Sequence, residues 1–248
     1  MGTIPGKYCF GNRSIKKLVV PEDTTEIGEW AYGACSALEE VHIPKGCRVS
    51  DRAFAGSDGI RRIFLYNEKG ERVNALPGLL ALAVTVWPGD TSRIFEAASD
   101  DAAFLEWLDE RLPLYLAEED SLGYIPFLAG GEEDYRDETE ERKEHERAVK
   151  LRKARFMYER LLAGGIRPPG DEKSRMSGRL KDYGPGISFA LMKEDSERKE
   201  EYGRLFFELC IDGDAGTGKL LEYAGEDAGL RAMVLRHSGG EGVEGLDI

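Results

Sequence analysis

The sequence predicts an α/β repeat fold, in which a short solenoid of strand-containing turns precedes a mainly α-helical domain. Three observations predict it: a repeated apolar pattern near the amino terminus, a change to helical apolar spacing after Pro88, and a charge shift near residue 75. Residues 1–74 hold 11 Lys/Arg and 10 Asp/Glu, so their charges nearly balance. Residues 75–248 carry a net charge of −14. The predicted divisions are 1–75 (about three repeats), 76–90 (capping segment), 91–238 (acidic helical domain) and 239–248 (flexible tail).

Three segments repeat one apolar pattern at nearly equal intervals. They run from Ile15 to Pro21, from Leu38 to Pro44 and from Ile60 to Tyr66, with apolar residues in the first, fourth and sixth places. One such turn cannot bury its apolar side alone, so neighbouring turns must stack. We therefore expect parallel strands in register near 17–20, 40–43 and 62–65. Side-chain alternation along a strand predicts three inward pairs: Leu18/Val20, Val41/Ile43 and Ile63/Leu65.

The match continues between these segments, and it carries a resemblance to a known family. The equivalent pairs are Ile27/Val49, Ala31/Ala53, Tyr32/Phe54 and Cys35/Ser57. The order Ile-x-x-x-Ala-aromatic-x-x-Cys-x-x-Leu-x-x-Val-x-Ile-Pro, from Ile27 to Pro44, resembles the BspA-type leucine-rich repeat, also called the Treponema pallidum type. The resemblance covers about residues 8–66. It implies a leucine-rich repeat solenoid that serves bacteria as a protein-binding or surface-adhesion scaffold, and it brings no catalytic residues.

The end of the repeat stack needs a cover, and the next segments supply candidates. Asn67–Gly70 has the composition of a turn, and Glu71–Val73 could return as a hairpin arm. The apolar run Leu76–Trp87 predicts an end cap, with a helix that begins at Pro77. The alternative is an exposed hydrophobic dock for a partner. The run is too short to span a bilayer, for which a helix needs about 20 apolar residues.

The remaining residues show helical spacing. Ser99-Asp-Asp-Ala is typical of a helix N-cap, and Gly164–Gly186, rich in Gly, Pro and charge, predicts a loop. The predicted helices cover about 104–116, 132–162, 187–192, 202–211, 219–224 and 230–237.

The outward side of the predicted strands is the candidate binding face. Its residues form a charged row and an apolar, aromatic row with one neighbour: Lys17, Glu40 and Arg62, then Val19, His42 and Phe64 with Tyr66 beside them. The core lies on the other side of the strands, so aromatic residues have no structural need to be here. Aromatic anchors dominate protein interfaces. We expect this face to contact a partner protein or the chain's own helical domain.

Two glycine-containing patterns resemble ligand sites, but each lacks a residue that such a site requires. Gly213–Lys219 follows the outline of a phosphate-binding loop, but Leu220 stands where Ser or Thr should reach magnesium. Asp212 and Asp214 suggest a calcium loop, yet Tyr223 occupies the place of its final Glu. We expect neither site, and no cofactor.

The Asp, Glu, His and Cys residues do not predict a metal, redox or catalytic site either. Asp137, Glu141 and His145 share one helix face, which could bind a divalent metal but is more typical of a solvated charged surface. The four cysteines form no C-x-x-C pair, so we expect free thiols. None of the three histidines has a Ser, Cys or Asp at a spacing that would indicate a catalytic triad, so we predict no catalytic residues. We also predict no metal site.

Composition narrows the function. A net charge of −13 argues against a nucleic-acid partner and against a polybasic membrane protein. Residues 1–7 do not begin a signal peptide, which predicts a cytoplasmic protein as the chain stands, or a surface or secreted one if a signal peptide was removed. We predict a non-enzymatic protein–protein interaction scaffold, with no membrane insertion. The alternatives are an intracellular regulatory protein whose helical domain binds a partner, and an enzyme with its site in the helical half.

Overall fold

A computed structural model of the chain describes residues 2–124, 135–163, 170–211 and 216–238. The chain divides into two compact units, Met1–Tyr115 and Leu116–Ile248. The first unit therefore continues well past residue 90, where the sequence places the start of the helical domain. The predicted tail, 239–248, lies outside the described residues.

Short parallel strands build the first unit. The described strands are β1 (Gly2–Ile4), β2 (Lys17–Val19), β3 (Thr24–Ile27), β4 (Glu40–Pro44), β5 (Arg48–Val49) and β6 (Arg62–Tyr66). They form two three-stranded sheets, ordered β1-β3-β5 and β2-β4-β6, so the chain alternates between the sheets. Leu18 pairs with Val41 and Val41 with Ile63, which confirms the parallel strands and their register. The first sheet was not predicted.

The core of this unit follows the repeated positions. The inward residues of β4 and β6 are buried, as the alternation predicts: Val41, Ile43, Ile63 and Leu65. Ile27 and Val49 are paired in the other sheet. The rings of Tyr32 and Phe54, which the repeat makes equivalent, stack at 5.9 Å between centroids. Equivalent residues of successive repeats are thus neighbours in the core.

A buried helix follows the repeats. α1 (Pro77–Val86) begins at Pro77, as predicted, because the fixed φ of proline suits the first helical position. Residues 77–84 are all buried, and the helix packs against β6. The alternative of an exposed hydrophobic dock is therefore wrong for this segment.

Two more helices extend the first unit beyond the expected break. A short 3-10 helix at Pro88–Asp90 leads into α2 (Thr91–Ala97), which the sequence did not predict. The N–H and hydroxyl of Ser92 both donate to Asp51 Oδ1, so α2 is held against the repeats. α3 (Asp101–Ala117) has the predicted N-cap, because Asp100 accepts hydrogen bonds from the N–H groups at its start.

Helices make up the described part of the second unit. They are α4 (Tyr135–Leu162), α5 (Gly170–Glu194), α6 (Lys199–Cys210), α7 (Thr217–Ala224) and α8 (Ala228–Ser238). The loop predicted for 164–186 is wrong from Gly170 onward. Met176 and Leu180 lie one helical turn apart and are both buried, which fixes the first half of α5 against its neighbours. The helix is interrupted at Gly184, where φ is +74°.

The remaining features of the fold are the state of the cysteines and the length and apolar character of the helices. The four cysteines are free thiols, as predicted. Within the described ranges, no helix combines the length and the apolar character that crossing a bilayer requires.

Candidate interaction face

The strand register places all seven predicted binding residues on one face of the β2-β4-β6 sheet. Across the strands, this face has three rows: Lys17–Glu40–Arg62, Val19–His42–Phe64 and Pro44–Tyr66. Along β4 and β6, half-buried residues alternate with buried ones, so the face is the side opposite the core. The alternation thus separates packing residues from residues that are accessible for contact.

Three rings meet on this face and form what we call the aromatic cluster: His42, Phe64 and Tyr66. The His42 ring lies parallel to Tyr66, with 5.2 Å between centroids and 7° between planes, and 5.1 Å from Phe64. The guanidinium of Arg72 lies 5.3 Å from the Phe64 ring centroid. Beside the cluster, Val19 is 63% exposed. The face therefore offers a partly open aromatic surface with an apolar neighbour.

Charged contacts hold the edge of the aromatic cluster. Glu40 Oε1 accepts from Lys17 Nζ at 2.7 Å and lies 2.6 Å from His42 Nε2. The hydrogen bond from Lys17 is the main cause that lowers the pKa of Glu40, and burial opposes it while His42 adds to it. These partly exposed pairs add little stability. They orient the His42 ring so that it stacks on Tyr66.

The outer edge of β6 is closed by residues that follow it. The N–H of Leu65 donates to Asn74 Oδ1 at 2.9 Å, and Asn74 Nδ2 donates to the Ile63 carbonyl at 2.9 Å. The Val73 N–H donates to the Leu65 carbonyl at 2.8 Å, and Tyr66 bridges to Arg72 in antiparallel sense. The predicted turn and hairpin arm are confirmed. The β6 edge is therefore paired, and the face presents side chains rather than free backbone groups of β6.

A pocket of about 440 Å³ adjoins the aromatic cluster at the carboxyl ends of β2, β4 and β6. Val20, Ile43 and Cys47 form buried parts of its lining. Burial raises the pKa of the Cys47 thiol to about 11, so this thiol stays protonated and unreactive at neutral pH. The pocket can therefore hold an apolar group without thiolate chemistry.

The rim of the pocket is charged, and sequence reasoning missed it. Glu22, Lys45 and Glu68 are exposed, and within the described residues their side chains make no hydrogen bond or ion pair. A signal was available, because Glu22 and Lys45 occupy equivalent places after successive strands. Charged residues in turns are usually only solvated, so this repetition does not by itself predict a site.

The three ligand-site patterns of the sequence lie only partly within the described residues. The side chain of Asp137 and residues 212–215 lie outside the described residues. His145 Nε2 lies 3.1 Å from the carbonyl oxygen of Leu122. Across the described residues, no group of three or more His, Cys, Asp or Glu side chains is arranged to hold a metal ion.

A buried polar network in the second unit also escaped sequence reasoning. Glu159 is 6% exposed, accepts from the Tyr202 hydroxyl at 2.7 Å and lies 3.2 Å from Arg198 Nε. The Tyr158 hydroxyl donates to Ser188 Oγ at 2.8 Å. Burial, and then the negative charge of Glu159, raise the pKa of Tyr202. These contacts link α4, α5 and the start of α6.

Comparison with known proteins bears on the first unit. Residues 3–72 match the family model of the BspA type leucine rich repeat region (6 copies). This match confirms the resemblance expected from residues 8–66 and reaches every described strand. Neither the search of curated proteins nor that of solved structures finds a match to this chain.

Proposed function

From the BspA type leucine-rich repeats of residues 3–72, we propose that this protein is a non-enzymatic scaffold that binds another protein. The repeats form a short solenoid, and the outward face of its β2-β4-β6 sheet is the contact surface. The proposal assigns no catalytic step and no cofactor to the chain.

The aromatic cluster is the observation that carries this proposal. His42, Phe64 and Tyr66 lie on the side of the sheet opposite the core, with their ring centroids 5.1 to 6.4 Å apart. Packing of the unit does not require them there, because Val41, Ile43 and Ile63 already fill the inner side. Preordered rings lose little side-chain freedom on binding, which favours their use as interface anchors.

Closure of the carboxyl-terminal end of the repeat stack is consistent with the same contact surface. α1 covers the last repeat, and Asn74 satisfies the backbone groups of β6. With this end closed, the sheet face remains accessible, and Val19 on β2 is 63% exposed there.

The test compares partner capture by the native chain with capture by the double variant Phe64→Ala/Tyr66→Ala. The matched control is Tyr8→Ala/Phe10→Ala, which removes two rings that are 61% and 52% exposed and lie in the first repeat, off the strand face. Each protein is used as bait in lysate of the source organism, and captured proteins are quantified by mass spectrometry. Thermal unfolding of every bait is recorded beside the capture.

We expect the Phe64/Tyr66 variant to lose a specific partner that the native chain and the control retain, with a nearly unchanged melting temperature. A melting temperature lowered by many degrees with capture intact would show that the cluster serves packing and that the binding surface lies elsewhere. Equal capture by all three proteins at equal stability would also contradict the proposal.

A further inference from the structure

The pocket beside the aromatic cluster is partly lined by apolar and aromatic side chains, and it is large enough to admit an apolar side chain of a bound segment. Its volume, about 440 Å³, falls in the usual range for ligand pockets. Val19, His42 and Tyr66 belong both to the pocket and to the outward face, so one partner can contact both. Ile43 and Pro44 add apolar surface. An apolar side chain is the group that gains most by entering this space.

Three charged side chains that make no ion pair within the described residues lie around the opening of the pocket. Glu22 lies in the turn after β2, Lys45 in the turn after β4 and Glu68 in the turn after β6. Because β4 lies between β2 and β6, the two acidic turns are separated by two strand spacings, about 10 Å. Two carboxylates flanking an apolar pocket favour cationic groups on both sides of the occupant. Lys45, between them, can donate to a backbone carbonyl of that occupant.

An extended peptide lying across the strands satisfies this arrangement. Its side chains alternate, so a residue that points into the pocket shares its side with the residues two positions before and after it. Those two residues are about 13 to 14 Å apart along the backbone, and long basic side chains can lean inward to reach both acidic turns.

We propose that this pocket receives the apolar side chain of an extended peptide segment with Lys or Arg two positions before and two positions after it. The pattern is basic-x-apolar-x-basic. This inference rests on the proposed function, since it names the chemistry of the partner segment that the outward face would bind.

The test uses three blocked synthetic peptides and the full chain. The probe is acetyl-Lys-Ala-Leu-Ala-Lys-amide. Its controls are acetyl-Glu-Ala-Leu-Ala-Glu-amide, which reverses the charges, and acetyl-Lys-Ala-Ser-Ala-Lys-amide, which removes the apolar anchor. Binding is followed by NMR titration of the ¹⁵N-labelled protein. We expect saturable shifts at Gly46, Tyr66 and Gly70 with the probe, and affinity about tenfold lower for each control peptide.

Protein variants locate the binding charges. Glu22→Gln/Glu68→Gln should weaken probe binding about tenfold and flatten its salt dependence. The matched control is Glu29→Gln/Glu39→Gln, which removes the same charge from exposed positions outside the pocket and should leave binding unchanged. Equal effects of the two double variants would show non-specific attraction to an acidic chain and would overturn the proposal.

The experiments can contradict the peptide proposal and the proposed function independently of each other. If none of the peptides shifts the pocket residues but the Phe64/Tyr66 double variant still loses its partner, the peptide proposal is wrong and the proposed function stands. If the peptides bind equally well whatever their charge or central residue, the stated chemistry is wrong. Probe binding that depends on Glu22 and Glu68 supports the pocket even where a partner of the face has not been captured.

Discussion

The side chains of Cys35 and Ser57 make the same link in successive repeats with different atoms. Ser57 Oγ donates to the Tyr32 carbonyl at 2.7 Å and accepts the Cys35 N–H at 2.9 Å. One repeat earlier, Cys35 Sγ donates to the Cys9 carbonyl at 3.2 Å. Burial raises the pKa of the Cys35 thiol, which keeps its proton available for donation. At this repeated position a short polar side chain ties each turn to the carbonyl of the turn before it.

The first prediction removes that tie. Ser57→Ala should lower the free energy of unfolding by about 1 to 3 kcal/mol, because it leaves the buried Cys35 N–H without its acceptor. Ser57→Cys should lose less, since it restores the donor found one repeat earlier. Denaturant unfolding followed by circular dichroism measures both. Equal losses would mean that a thiol cannot replace the hydroxyl here, and would contradict the equivalence of the two positions.

The second prediction concerns the inward ladder. Val41→Asp should unfold the repeat unit, because Val41 is 0% exposed and an unpaired charge there costs several kcal/mol. Glu39→Ala should change the melting temperature little, since Glu39 is exposed. Thermal unfolding of the two variants checks this. Similar melting temperatures would contradict the assigned orientation of β4.

These variants follow from the part of the fold that the sequence predicts best. The nearly equal intervals between the repeats fix which residue lies beside which: Leu18 beside Val41, and Val41 beside Ile63. The same intervals place Val19, His42 and Phe64 in one row. The stacking angles within the aromatic cluster, and the contact of Glu40 with His42, depend on rotamers and were beyond sequence reasoning.

The missed elements had weak patterns of their own. β5 consists of Arg48 and Val49 alone, so alternation has too few residues to show. The first half of α5 is dominated by Gly and charged residues, which conceal the spacing of Met176 and Leu180. α2 directly follows Pro88–Asp90, whose composition suggests a break. In each case tertiary contacts stabilise a segment that local propensity alone would leave irregular.

The third prediction is a pH dependence at the candidate face. The pKa of Glu40 lies below its ordinary value of 4.5 in the folded chain, chiefly because Lys17 donates to its carboxylate. The resulting stability is fully present above pH 4.5 and is lost as the pH falls through the lowered pKa. Glu40→Gln should therefore have a lower free energy of unfolding than the native chain near neutral pH. This difference in free energy should shrink as the pH falls below 4.5.

Urea unfolding at a series of pH values measures this difference. Glu39→Gln, which removes a neighbouring exposed carboxylate, is the control and should run parallel to the native chain. A gap between Glu40→Gln and the native chain that stays constant from neutral to strongly acidic pH would contradict the proposed linkage.

The last prediction concerns the closed edge of β6. Asn74→Ala removes the acceptor of the Leu65 N–H and the donor to the Ile63 carbonyl, two backbone groups at a buried position. Each buried group left without a partner costs about 1 to 3 kcal/mol, so the variant should melt at a clearly lower temperature. An edge with free backbone groups also pairs with other chains. We therefore expect faster aggregation below the melting temperature, measured by light scattering.

Val73→Ala is the matched control, because it shortens an exposed side chain of the same arm and keeps the Val73 N–H bond to Leu65. Aggregation of both variants at the same rate would show that the arm acts through its bulk, whereas aggregation of Asn74→Ala alone identifies the two side-chain hydrogen bonds as the closure of the sheet.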